Sequence, residues 1–147
     1  MKIVVVSDNH GNIDDLDKVR MQENNVDIFL HCGDSQLPEQ LIYPFSAVHG
    51  NCDYFDDYPQ FRIVPTPYGN IYIEHGNRMF PMSVEMLKEK GCIVYIQGHT
   101  HKKKLEKIED CYFVNPGSIS RPRDGNVGTY LVINAKKENI EFIFKTI

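Results

Sequence analysis

The sequence predicts an α/β fold in which two packed β-sheets are flanked by helices. Apolar strands alternate with helices in the first half of the chain, whereas the second half consists mostly of strands. Two sheets that bury one face against each other, with helices on their outer faces, account for that order of elements. The 147 residues suffice for a hydrophobic core, and we interpret 1–147 as a single domain.

The first half begins with a β-branched run at residues 2–7, which is too short for a helix and is predicted to be a buried strand. A helix is predicted to start near Asn12, whose side chain can cap it. Two more strands are predicted at 26–31 and 45–49, with a short helix at 38–43 between them.

A Tyr- and Pro-rich loop at 54–59 leads into the second half. A helix is predicted at 83–90. Ser83 can cap its start, and Gly91 lies just past its end, where glycine is common. Strands are predicted at 61–64, 70–74, 93–97, 104–108, 111–114, 129–134 and 140–144.

Composition and charge argue against several classes of protein. The net charge of −4 argues against strong nucleic-acid binding through a basic surface. The N-terminal apolar run is too short for a secretory signal and no segment has the pattern of a membrane span, so we expect a cytoplasmic location without a membrane partner. The four cysteines form no CxxC pair, and we expect Cys92 and Cys111 to be reduced and packed.

Five segments share one pattern: an apolar strand, then a turn that contains glycine and a side chain able to bind metal. Ligands lie just beyond the carboxyl ends of strands in open α/β sheets, so five such ends can converge on one site. The candidate metal ligands are Asp8, His10, Asp34, Asn51, His75, His99 and His101. The other two histidines, His31 and His49, are expected to be packed or surface histidines rather than ligands.

The spacing and the chemistry of these residues indicate a centre of two metal ions. Asp8 and His10 are two residues apart, as are His99 and His101, and in extended chain residues i and i+2 point to the same side. Imidazole, carboxylate and amide together argue against Ca²⁺ or Mg²⁺ alone. Two divalent ions outweigh the charge of two carboxylates and a bridging hydroxide, which leaves a positive site suited to an anionic phosphate.

These residues, in this order, resemble the signature of the calcineurin-like metallophosphoesterase family. The family motifs Asp-x-His, Gly-Asp, Gly-Asn, His and Gly-His-x-His correspond to Asp8 to His10, Gly33-Asp34, Gly50-Asn51, His75 and Gly98 to His101. Two further stretches resemble its small YfcE-type phosphodiesterase subgroup: Gly50-Asn51-Cys52-Asp53, and Asn115-Pro116-Gly117-Ser118 followed by Arg121-Pro122-Arg123.

The resemblance implies a four-layer αββα sandwich that hydrolyses a small phosphate ester, most simply a phosphodiester, by attack of a metal-bridging hydroxide. Mn²⁺ is the first metal expected, with Fe, Zn or Ni as alternatives. By resemblance Asp34 bridges two ions. The first would be held by Asp8, His10, Asp34 and His101, and the second by Asp34, Asn51, His75 and His99.

Two departures from the family pattern leave the general acid unassigned. Many members have His where this chain has Cys52, and subgroup members often have a second His where it has Asn77. Asn51, Arg121 and Arg123 are candidate substrate-binding residues. For the two arginines, the reason is that guanidinium matches phosphate bidentately. The alternative for the two arginines is a solvated structural loop.

The alternative function is a non-catalytic scaffold or protein-interaction module of the same fold, like the retromer-associated sorting subunit that resembles this subgroup. Fold alone does not decide between the two functions. All seven candidate positions have side chains able to bind metal, which a scaffold does not need, and the sequence therefore favours the enzyme.

Overall fold

The two packed sheets that the sequence predicts are present in the computed structural model, which describes residues 1–54 and 57–147, and each sheet has five strands. In spatial order, the strands of the first sheet are Ile140–Thr146 (β10), Thr129–Ala135 (β9), Lys2–Val6 (β1), Ile28–His31 (β2) and Phe45–Ala47 (β3). Those of the second are Phe61–Val64 (β4), Asn70–Glu74 (β5), Cys92–Ile96 (β6), Cys111–Pro116 (β8) and Lys103–Ile108 (β7). The predicted loop at 54–59 lies partly outside the described residues.

The two longer helices begin where the sequence predicts, at capping side chains. Asn12 Oδ1 accepts a hydrogen bond from Asp15 N at 3.1 Å and starts Ile13–Gln22 (α1). Ser83 Oγ accepts from Met86 N at 3.1 Å and starts Val84–Glu89 (α3). A single turn at Glu39–Ile42 (α2) fills the predicted short helix. Within 1–54 and 57–147, none of the helices is long and apolar enough to cross a membrane.

The layers follow from the two faces of β1. Ile3 and Val5 point into the core between the sheets, whereas Val4 and Val6 pack on the other face in the cluster that contains Leu16 of α1. These four of the five β1 side chains are fully buried, which is typical of a central strand covered on both faces. A third cluster lies under α3, so the order of layers is helix, sheet, sheet, helix, as predicted.

Cys92 and Cys111 lie in the cluster under α3, where both side chains are buried and free of disulfide bonds, as predicted. Cys32 is also buried and free, in the core between the sheets. Cys52 is the partly exposed one of the four.

Parallel pairing brings the candidate site together. β1, β2 and β3 run parallel, and so do β5 and β6 in the other sheet, so the carboxyl ends of each set share one edge. The turns after these strands are hydrogen-bonded to each other: Asp8 N donates to Gly33 O at 3.1 Å, and Gly98 N to His75 O at 3.0 Å. The predicted strand at 45–49 stops at Ala47, because His49 N donates to the Pro59 carbonyl instead.

One ion-pair network ties the first sheet to α1. The Glu23 side chain, only 1% exposed, accepts hydrogen bonds from Lys145 Nζ and Tyr130 Oη at 2.7 Å each and lies 2.9 Å from Lys2 Nζ. Burial alone would raise the pKa of Glu23, but the hydrogen bonds from the two lysines and Tyr130 outweigh it and hold the pKa below its ordinary value.

We expect Glu23→Gln to lower the free energy of unfolding by about 1–3 kcal/mol at neutral pH, because the charge-assisted bonds are lost. The stabilisation from Glu23 is complete above the ordinary carboxyl pKa and is lost as the pH falls through the lowered value. Urea unfolding at several pH values measures both effects. The exposed Glu138→Gln is the control, and equal stability losses in the two variants would contradict the assignment.

Candidate metal centre

The turns after five strands bring all seven predicted ligands into one connected cluster. On one side, His10 Nε2 lies 3.2 Å from His101 Nε2, and Asp8 Oδ1 lies 3.3 Å from His101 Nε2. On the other side are Asn51, His75 and His99, whose facing atoms lie 2.8–3.3 Å apart. Asp34 lies between the two groups.

Asp34 is the residue that connects the two groups. Its Oδ2 lies 3.2 Å from His75 Nε2. One ligand atom of each of Asp8, Asp34 and His75 falls within 4.8 Å of the others, as does one of each of Asp8, His10 and His101. This position is the one that a bridging carboxylate would need, and the bridge itself stays a prediction.

The backbone at the ligands is left-handed rather than extended. Within the described residues, eight non-glycine residues have positive φ, and five of them are predicted ligands: Asp8 (57°), His10 (44°), Asp34 (57°), His99 (68°) and His101 (61°). The extended geometry assumed for the Asp8/His10 and His99/His101 pairs is therefore wrong. Left-handed backbone is costly for residues other than glycine and clusters at functional sites.

Two glycines of the motifs are required by close approach of a ligand. A Cβ on Gly50 would lie 2.1 Å from Asp34 Oδ1, and a Cβ on Gly98 would lie 2.0 Å from Ser7 Oγ and 2.7 Å from Asp8 Oδ2. No side chain fits at either position without moving a ligand carboxylate.

Three of the four imidazoles are oriented by a hydrogen bond from Nδ1. His75 Nδ1 donates to Cys32 O at 2.8 Å, His101 Nδ1 to Arg121 O at 2.7 Å, and His10 Nδ1 to Gln36 Oε1 at 2.7 Å. A proton on Nδ1 points Nε2 at the cluster, where the Nε2 lone pair becomes available to a metal ion once any proton on Nε2 is lost. Sequence reasoning missed Gln36, and its place two residues after Asp34 was the one available signal.

Asp53 holds the turns of Asp34 and Gly50 together. Its carboxylate accepts hydrogen bonds from Gly50 N at 2.7 Å, Gln36 N at 2.8 Å and Asp34 N at 2.9 Å. The sequence placed Asp53 in a motif without giving it a role. Its supporting role depends on hydrogen bonds to Gln36 and Asp34, which lie 17 and 19 residues away along the chain, so no local pattern indicates it.

His31 is a packed histidine, as predicted. Its Nε2 donates to Asn9 Oδ1 at 2.8 Å, and its Nδ1 accepts from Gly33 N at 3.0 Å. Complete burial lowers the pKa of His31 to about 4, so the ring is neutral and supports the turns on either side.

Charges in the cluster stabilise one another. Burial alone would raise the pKa of Asp34, but the hydrogen bond and charge of His75 outweigh it and lower that pKa to about 2. Burial likewise opposes ionisation of Asp8, and the close approach of the His101 imidazole, 3.3 Å from Asp8 Oδ1, overcomes it, so the pKa of Asp8 is also lowered. Burial, and then the positive charge of His75, lower the pKa of His99. Both carboxylates are therefore anionic at neutral pH.

A buried oxygen without a partner shows that the residues fit a cation. Asp8 Oδ2 accepts hydrogen bonds from Ser7 Oγ and from His99 N, but Asp8 Oδ1 is buried and accepts none. The Nε2 atoms of His101, His10 and His75 lie 3.3, 3.8 and 4.0 Å from that oxygen. Imidazole lone pairs around an unpaired carboxylate oxygen are the donor set of a divalent transition-metal ion.

An open cavity of about 630 Å³ lies over the cluster. Its walls are formed by His10, Asp34, Gln36, Asn51, Cys52, His99, His101, Arg121, Pro122 and Arg123. The two predicted arginines thus lie at the mouth of the site, whereas Asp8 and His75 are buried beneath it. Asn77 is exposed and is not part of the wall.

We expect Gln36→Ala to weaken metal binding about 10- to 100-fold, because His10 loses the acceptor that fixes its ring. Titration of the metal-free protein with Mn²⁺ measures this effect. Gln40→Ala, an exposed position on α2, is the matched control. Equal affinities in both variants would show that Gln36 does not orient His10.

The fold and the cluster together define an α/β protein with a candidate metal-binding site. A model of the calcineurin-like phosphoesterase superfamily domain matches residues 1–138. The chain therefore belongs to the calcineurin-like phosphoesterase superfamily.

Relatives of similar length cover nearly the whole chain. A probable metallophosphoesterase of Bacillus subtilis, YsnB, is 28% identical over 147 residues, which covers 94% of this chain and 86% of the relative. The phosphodiesterase YfcE of Escherichia coli K12 is 26% identical over 159 residues, which covers 88% of this chain and 85% of the relative. The subgroup resemblance is confirmed.

Solved structures confirm the fold. A predicted phosphoesterase of Streptococcus pneumoniae, 28% identical, superimposes with a TM-score of 0.87 and covers 99% of this chain and 88% of its own. Vps29 of Entamoeba histolytica, solved in complex with Zn²⁺, has a TM-score of 0.76 at 17% identity and covers 100% of this chain and 98% of its own. At that identity the likeness to Vps29 shows the fold alone.

Proposed function

We propose that this protein is a phosphodiesterase that hydrolyses a small phosphodiester at a centre of two divalent ions, with Mn²⁺ as the first ion to test. The observation on which the proposal depends is the buried, unpaired Asp8 Oδ1, with three imidazole Nε2 atoms within 4.0 Å of it, beneath an open cavity. Membership of the phosphoesterase superfamily and the YfcE relative support the reaction class.

The proposed ligand sets share Asp34. Asp8, His10 and His101 would complete the first set, and Asn51, His75 and His99 the second. When bound, such ions offset charge on the phosphate oxygens and lower the pKa of water towards about 7, so that no side-chain nucleophile is needed.

The rest of the chemistry belongs to side chains at the mouth of the site. Arg121 and Arg123, which line the cavity, would bind the non-reacting phosphate oxygens and offset their charge. The backbone of the same loop is fixed to the cluster, because Arg123 N donates to His101 O at 2.9 Å and Arg121 O accepts from His101 Nδ1. Asn51 directs Oδ1 at His75 and His99. Its amide nitrogen donates to Cys52 Sγ at 3.5 Å and keeps a second hydrogen that would be donated to the substrate.

Turnover of bis(4-nitrophenyl) phosphate and of 4-nitrophenyl phosphate, with Mn²⁺, Ni²⁺, Fe²⁺ or Zn²⁺, tests the proposal. We expect kcat/KM for the diester to exceed that for the monoester by about tenfold or more, a difference of roughly 1.4 kcal/mol. A protein that binds both ions and hydrolyses neither ester would instead be a scaffold of this fold. Preference for the monoester would overturn the diesterase assignment.

We expect Arg121→Ala and Arg123→Ala, assayed separately, to show which arginine binds phosphate. Loss of that contact should lower kcat/KM about tenfold, which corresponds to roughly 1.4 kcal/mol. Both substitutions keep the backbone bonds to His101, so the metal content should not change. If neither variant changes kcat/KM by more than about twofold, the loop is structural.

A further inference from the structure

We propose that Cys52, with His10 and Asp34, forms a second ligand set for one thiophilic divalent ion such as Zn²⁺. One ligand atom from each of these three side chains lies within 4.8 Å of the other two. The set contains a sulfur atom, which the proposed phosphoesterase centre does not, and it overlaps that centre at His10 and Asp34.

Backbone contacts fix the three residues next to one another. Cys52 N donates to Asp34 Oδ1 at 2.8 Å, so the thiol side chain starts beside the carboxylate. His10 N donates to Asp34 O at 3.0 Å, and His10 Nδ1 is held by Gln36. The ring nitrogen that remains, Nε2, is therefore the one available to a metal ion.

Cys52 is the cysteine that an incoming ion can reach. It lines the open cavity together with His10 and Asp34, whereas Cys32, Cys92 and Cys111 are buried away from it. A thiol, an imidazole and a carboxylate facing one cavity provide three protein ligands and leave a fourth position open to water, which suits the tetrahedral preference of Zn²⁺.

Binding exchanges one proton for one metal–sulfur bond. The Cys52 thiol gives its proton to solvent as the thiolate binds the ion, with no change of oxidation state. Thiolate ligands select soft ions, whereas Mn²⁺ prefers oxygen and nitrogen ligands. A thiophilic ion therefore prefers the Cys52 set, whereas Mn²⁺ prefers the set of Asp8, His10, Asp34 and His101.

The overlap has a consequence that rests on the proposed function. His10 and Asp34 cannot serve both sets fully, so an ion bound to Cys52 competes with the ions of the phosphoesterase centre. Zn²⁺ added to the Mn²⁺-loaded protein should therefore displace Mn²⁺. Binding of metal by Cys52 itself does not depend on any activity.

Titration of the metal-free protein with Cd²⁺, a spectroscopic substitute for Zn²⁺, tests the set directly. The sulfur-to-cadmium charge-transfer band in the ultraviolet reports a metal–thiolate bond. We expect the wild type to develop this band and Cys52→Ser, which keeps the other three cysteines, to lack it. A band that persists in Cys52→Ser would overturn the proposal.

Two histidine variants test whether Cys52 acts in a set of three. We expect His10→Asn to weaken Cd²⁺ binding at least tenfold, roughly 1.4 kcal/mol, and His101→Asn to keep the band with affinity within about twofold. Unchanged affinity in His10→Asn would mean a lone surface thiolate, and loss of the band in His101→Asn would place Cys52 in the other set. Either result would overturn the proposal.

A measurement on the wild type keeps the test valid if a variant misfolds. We expect Zn²⁺ to protect Cys52 from alkylation by iodoacetamide, as followed by mass spectrometry of the peptide that contains it. Alkylation at the same rate with and without Zn²⁺ would overturn the proposal. Because neither readout involves turnover, an inactive protein would leave the Cys52 result unaffected.

Discussion

Asp34→Asn should lose at least one metal ion per chain and lower kcat/KM by about a thousandfold or more, which corresponds to roughly 4 kcal/mol. Asp34 is ionised at neutral pH, since the hydrogen bond from His75 outweighs burial and lowers its pKa to about 2. It also lies between the two groups of ligands. Removal of its charge leaves the repulsion between two cations less offset.

The variant should still fold. An asparagine can accept the bond from Cys52 N with its oxygen and present its amide to His75 Nε2, whose Nδ1 proton is fixed by Cys32 O. Metal analysis after dialysis measures the number of bound ions, steady-state kinetics measures kcat/KM, and urea unfolding measures stability. The exposed Asp57→Asn is the control. Full metal content with near-normal turnover would refute the bridging role of Asp34.

His99→Ala should lower kcat/KM by about a hundredfold or more, because the ligand set that His99 shares with Asn51 and His75 is lost. His99 Nδ1 lies 3.1 Å from Asn51 Oδ1 and 3.3 Å from His75 Nε2. Because the His99 side chain is exposed, the free energy of unfolding should change by no more than about 0.5 kcal/mol.

His49→Ala is the matched control, since His49 is a half-buried histidine that does not line the cavity. It should bind two ions and turn over substrate at the wild-type rate. Steady-state kinetics and metal analysis of the two variants separate loss of a ligand from loss of any histidine. More than about a tenth of the wild-type kcat/KM in His99→Ala would show that the second set does not need His99.

The architecture was predictable because it depends on local patterns. β-Branched runs such as Ile3 to Val6 predict strands, and the capping residues Asn12 and Ser83 predict where the two longer helices begin. The turn glycines predicted where each strand ends. Strand bounds were less accurate where a backbone group bonds outside the sheet, as His49 N does with Pro59 O.

The arrangement of ligands was predictable only in part. The pairs at Asp8/His10 and His99/His101 do face one site, but their backbone is left-handed instead of extended. His99 and His101 also belong to different groups of ligands. His101 lies beside Asp8 and His10, whereas His99 lies beside Asn51 and His75. Spacing along the chain shows which candidate ligands are near one another in sequence, but the backbone torsions decide which group of ligands each side chain joins.

The sequence by itself determined the chemical identity of the ligands and the strand ends from which they project, because both are properties of short segments. The tertiary structure alone decided which groups support them. Gln36 reaches His10 across 26 residues, the Arg121 carbonyl orients His101 across 20, and Cys52 meets Asp34 across 18. Such contacts form only when parallel strands from separate segments end at the same edge, and no local pattern in the sequence specifies their distances.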